Sequence, residues 1–118
     1  MDNKKKQDFI IDIENLVDQL EGNVSFLNEI LINFLNNASI LLDTLNNAND
    51  SNDRTTIIKT AHSITNAFSS VLIYSSSELS KQIEMEAKNN NFEKCKSLIA
   101  AINDELNSIF DYIKQNYL

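Results

Sequence analysis

Apolar residues recur along this chain at intervals of three and four, the period of a helix that buries one face, and nowhere in the sustained alternation of a half-buried strand. Phe9, Ile13, Leu16, Val17 and Leu20 form the first such stripe, which predicts a short amphipathic helix of about 12 residues. Gly22, the one glycine in the chain, is placed to end it, since glycine reaches positive φ without a Cβ penalty. Asn23 is suited to cap the next helix. Its stripe, Leu27, Leu31, Phe34, Ala38, Leu41 and Leu45, runs for about six turns. The segment "NNANDSNDR" at 46–54 is crowded with side chains that compete for backbone hydrogen bonds, which predicts a loop there and a third helix from near Arg54.

In the third helix Ile57, Ala61, Ile64, Phe68 and Val71 form the inward stripe, which leaves Ile58, His62, Thr65, Asn66 and Ser69 on an adjacent, more exposed face. "SSSE" at 75–78 fits a capping box, with Ser75 as the cap and Glu78 reaching back to it, so a fourth helix is expected to start there. Leu79, Ile83 and Ala87 form its core face, and "NNN" at 89–91 breaks it. Phe92, Cys95, Leu98, Ile99, Ile102, Leu106, Ile109 and Ile113 carry a long last helix. One short helix plus four long ones joined by brief turns predicts an all-α fold, an antiparallel up-down four-helix bundle with a short additional N-terminal helix. No linker divides the 118 residues, so 1–118 is expected to form a single domain.

Composition narrows the function classes. The absence of proline and tryptophan, with a single glycine, disfavours turn-rich β architectures. A formal net charge of −7 argues against a nucleic-acid surface, which needs clustered Lys and Arg to displace counterions. The one basic run, Lys4, Lys5 and Lys6, reads as a solvated tail. No apolar stretch approaches the roughly 20 residues that cross a bilayer and no signal peptide is evident, so a soluble, cytoplasmic chain without membrane contact is expected. Cys95 has no second cysteine to pair with, and with one distant histidine it offers no metal site. Glycine-rich phosphate loops and nucleophile elbows are absent, and no cofactor is expected. The 18 asparagines are a compositional bias, gathered partly where turns need them.

Candidate chemistry centres on His62, the one histidine. A lone helix histidine is most simply a surface residue without a special role. The stretch around it, "HSITNAFSSVLIY" at 62–74, nevertheless resembles the motif of the histidine-containing phosphotransfer (HPt) domains of two-component phosphorelays. In that motif a histidine is followed by a small or polar residue, an aliphatic residue, lysine and glycine, then small residues, an aliphatic residue and a second glycine. His62 matches the phosphorylated histidine, Ser63 and Ile64 the next two positions, Ser69 and Ser70 the small residues, and Val71 the aliphatic one. Upstream, residues 16–45 resemble the family's first helix, turn and long second helix; downstream, 76–95 resemble its next helix and the start of the last. Thr65 stands where lysine is usual, Asn66 where the first glycine is usual and Leu72 where the second is usual. Read on its own, Leu72 is a core leucine.

The resemblance implies a carrier, not an enzyme. His62 would accept a phosphoryl group from one receiver-domain aspartate and donate it to another, with Ile58, Thr65, Asn66 and Ser69 docking the partner or flanking the phosphate. The partners implied are a response-regulator receiver domain, a hybrid sensor histidine kinase, or both, and the receiver would bring the aspartate and the magnesium ion. The chain itself is expected to be a monomer. Loss of the lysine and both glycines supports an alternative, a degenerate HPt fold that binds a receiver or kinase as a non-phosphorylated scaffold or competitor. A third reading is an unrelated helical oligomerisation module in which His62 is incidental.

Overall fold

The computed structural model describes residues 7–118, and the basic run Lys4–Lys6 lies outside them. Among the described residues there are five helices and no strand: α1 Asp8–Gln19, α2 Val24–Asp50, α3 Arg54–Ser70, α4 Tyr74–Lys88 and α5 Phe92–Tyr117. α2 packs on α3, α3 on α4, α4 on α5 and α5 back on α2, which closes a four-helix bundle; α1 lies against α4 and α5. The inward stripes meet in one core that runs from Phe9 and Ile13 of α1 through Leu31, Leu45, Ile57, Ile64, Phe68 and Ile83 to Ile102, Ile109 and Ile113 of α5. Among the described residues no helix is long and apolar enough to cross a membrane.

The predicted helices are present, and the starts of α2 and α3 follow side-chain chemistry. Asn23 Oδ1 accepts from the Phe26 N–H at 3.2 Å, and Asp53 Oδ1 does the same for Thr56, each satisfying an amide that the first helical turn leaves without a partner. The Thr56 hydroxyl also donates to Asp53 Oδ2, and these two bonds hold the Asp53 carboxyl below its ordinary pKa.

Two expectations about segment ends are corrected. The stretch 46–54 is mostly helix: α2 runs to Asp50, and only Ser51–Asp53 turn. Ala48 is buried there and extends the stripe beyond Leu45, while the Asn46 and Asn103 side-chain amides pair across α2 and α5, with Asn103 Nδ2 donating to Asn46 Oδ1 at 3.0 Å. Tertiary partners thus outweigh the loop preference of these side chains. Leu35 and Leu42 also join the core, with Leu41 half-buried beside them. The second correction concerns the capping box. α4 starts at Tyr74 behind Ile73, which has no capping side chain. Instead Asp12 of α1 caps from outside the helix, its Oδ2 accepting from the Ser75 N–H at 3.1 Å and the Ser75 hydroxyl at 3.0 Å. Glu78 faces Lys81 at 3.1 Å instead of reaching back.

The turns after α2, α3 and α4 share one geometry. In each, an amide past the helix folds back on one of its last carbonyls: Asp53 N–H to Ala48 O, Ile73 N–H to Phe68 O and Asn91 N–H to Glu86 O, at 2.9, 2.9 and 2.8 Å. This is the Schellman closure, which needs a left-handed residue one place earlier. Asn52, Leu72 and Asn90 occupy it, with φ of 53°, 63° and 59°. Asparagine tolerates that region and leucine does not. Leu72 is therefore not the core leucine expected of it: it is half-buried, and it ends α3 in a conformation that favours glycine. Leu72→Gly is expected to leave stability within about 1 kcal/mol of the starting protein, because removal of a left-handed penalty of roughly 1–2 kcal/mol offsets the lost side-chain packing. Urea denaturation checks this; a loss above about 3 kcal/mol, the range of a fully buried leucine, would contradict it.

Candidate functional site

α3 presents His62 outward because its inward face is fully committed to the core by Ile57, Ala61, Ile64 and Phe68, each without exposed surface. The imidazole is 66% exposed. Its Nδ1 lies 3.5 Å from Glu84 Oε1 on α4, and Glu84 Oε2 is 3.1 Å from the Lys88 ammonium. The carboxylate lies on the Nδ1 side of the ring, which leaves the other nitrogen, Nε2, on the side away from it. An exposed imidazole nitrogen is a competent nucleophile toward phosphorus.

Of the other four site candidates, Asn66 is exposed, and Ile58 and Ser69 are half-buried on the same side of α3 as His62. Thr65 is the correction. It is 8% exposed and faces α4, where its hydroxyl donates to Ala61 O at 3.0 Å and accepts from Ser80 Oγ at 2.9 Å. Ser80 is fully buried, its Oγ also 3.0 Å from Ser77 O. Periodicity placed Thr65 on the outer face because a hydroxyl counts as polar; a helix that meets small serines lets that hydroxyl be buried and satisfied. Ser76, Ser77 and Ser80 give α4 this small, close-packing edge. Thr65→Lys, which would restore the family's cation, is therefore expected to cost about 1–3 kcal/mol by unmaking both hydroxyl bonds. Chemical denaturation reads this, and an unchanged midpoint would show that the contact carries no weight.

Glu84 and Lys88 were not among the sequence candidates. The signal was present but split between segments: a Glu four residues before a Lys on one helix, and a three-residue turn that sets α4 alongside α3. Once Thr65 meets Ser80, a step of three residues back along α3 and four forward along α4 brings His62 to Glu84. Arg54 Nη2, at the start of α3, closes the same register by donating to Lys88 O at 3.0 Å.

Residues 29–112, from within α2 to within α5, match the family model of the Hpt domain. The chain belongs to the Hpt domain family. No curated protein and no solved structure matches it. Hpt domains serve histidine phosphotransfer in phosphorelays, as phosphocarriers that interact with receiver domains and histidine kinases. The matched segment of this Hpt domain leaves out α1, although Asp12 of α1 supplies the cap of α4.

Proposed function

We propose that this Hpt domain is a phosphorelay carrier that accepts and donates a phosphoryl group through His62, between receiver-domain aspartates. The observation that carries the reading is the exposed imidazole with Glu84 at Nδ1. Nε2 attacks the phosphorus of an aspartyl phosphate, an N–P bond forms, the P–O bond to the aspartyl group breaks, and the electron pair leaves with the aspartate carboxylate. The ring gains positive charge as its lone pair is used. Glu84, on the Nδ1 side of the ring, stabilises that charge and favours one ring orientation, so it acts as a positioning residue. Return of the group to a second aspartate reverses these steps. Ile58, Asn66 and Ser69 would meet the partner around the ring, with Thr65 beneath them as support. The single domain acts as a monomer, and the reading places it in the cytoplasm.

A second reading, a non-phosphorylated scaffold or competitor for a receiver or kinase, draws on the buried Thr65 and on Asn66 in place of the motif's lysine and glycine. Incubation with phosphorylated receiver domains from the same organism separates the two. Acid-labile label on the chain supports the carrier, and binding without label supports the scaffold.

A further inference from the structure

A phosphoryl group on His62 Nε2 would add two negative charges to a site that already holds the Glu84 carboxylate across the ring, and like charges so placed repel. In the family's motif a lysine one turn after the histidine offsets such charge; here that position is the buried Thr65. α3 and α4 carry three lysines. Lys81 is held by Glu78 at 3.1 Å. Lys59 lies one turn before His62 on the same helix, but side chains on a helix lean toward its N-terminus, which carries the Lys59 ammonium away from the ring. α4 runs opposite to α3, as the contacts Thr65 to Ser80, His62 to Glu84 and Arg54 to Lys88 show. The same lean therefore carries Lys88 back toward Glu84 and the imidazole. Its Nζ is 3.1 Å from Glu84 Oε2, with the other oxygen of that carboxylate at His62 Nδ1. Arg54, donating to the Lys88 carbonyl at 3.0 Å, ties the backbone of Lys88 to the first turn of α3.

We infer that Lys88 is the charge partner of phosphorylated His62. While the ring is free its ammonium offsets the Glu84 carboxylate, and once the N–P bond has formed it offsets from α4 the combined negative charge of Glu84 and the phosphoryl group. Lys88 thus takes the part that the motif assigns to a lysine on the histidine's own helix. The inference rests on His62 being the phosphoryl acceptor.

The test compares the starting protein with Lys88→Gln, Lys88→Arg and Lys59→Gln. Each is loaded from a phosphorylated receiver domain and, separately, from phosphoramidate, a small donor that needs no docking. Lys88→Gln is expected to slow loading about tenfold with both donors and to remove most of the salt dependence of the rate. Lys88→Arg and Lys59→Gln should stay within about twofold, with all three variants melting as the starting protein does. Slowing by the receiver alone would make Lys88 a docking contact, and a rate for Lys88→Gln within twofold of the starting protein would remove its role; either overturns the inference while leaving His62 as acceptor. If the starting protein takes label from neither donor, the carrier reading itself falls, and this inference with it.

Discussion

His62→Gln is expected to abolish acceptance of acid-labile phosphate while leaving the melting temperature nearly unchanged. Glutamine keeps polarity and approximate length but has no ring nitrogen to form an N–P bond. The stability side follows from exposure: a side chain 66% open to solvent contributes little to folding, and such surface substitutions stay within about 0.5 kcal/mol. The contact with Glu84 at 3.5 Å adds at most a small term, since exposed ion pairs are worth roughly 0–1 kcal/mol. Radiolabel transfer from a phosphorylated receiver, followed by acid treatment, measures the first effect, and a thermal melt the second. Label that persists in the variant would remove His62 from the chemistry. A large drop in melting temperature would instead make it a packed histidine that happens to face outward.

The helices of this domain were legible because each buries a stripe at the helical period, and a stripe such as Ile57, Ala61, Ile64 and Phe68 has one interpretation. Outward placement of His62 followed from that stripe without further information. What could not be read from local pattern was decided between helices. Asn46 looks like a loop residue until Asn103 of α5 faces it. Ser75 looks like its own helix cap until Asp12, 63 residues earlier, takes its amide. Thr65 looks exposed until the serine edge of α4 closes over it. Each error has the same origin: a polar side chain was assigned to solvent or to its own backbone when a distant polar partner was available. Stripe residues such as Ile57 and Phe68, and the Asn23 cap whose partner is its own helix, were placed correctly; polar residues paired with a distant helix were not. Leu72 belongs to neither group. The motif's preference for glycine there becomes physical only when φ is seen to be 63°, because no side-chain contact announces a left-handed backbone.

Phe68→Ala tests the frame on which the site is built. Phe68 has no exposed surface, lies on the face of α3 opposite His62, and meets Phe34 of α2 with ring centroids 5.3 Å apart and planes tilted by 60°. Removal of a buried phenylalanine ring costs about 3–5 kcal/mol through lost transfer energy and the cavity left behind, and tilted aromatic pairs add about 0.5–1.5 kcal/mol beyond area. Small domains hold about 5–15 kcal/mol in all, so the loss is a large part of the total, and Phe68→Leu, which keeps most of the volume, gives a milder companion expected to lose about 1.5 kcal/mol or less. Urea midpoints with an unchanged slope read both. If Phe68→Ala loses less than about 1 kcal/mol, α3 is rotated about its axis from the orientation described, and the outward position of His62, its contact with Glu84 and the register that brings Lys88 to it fall together.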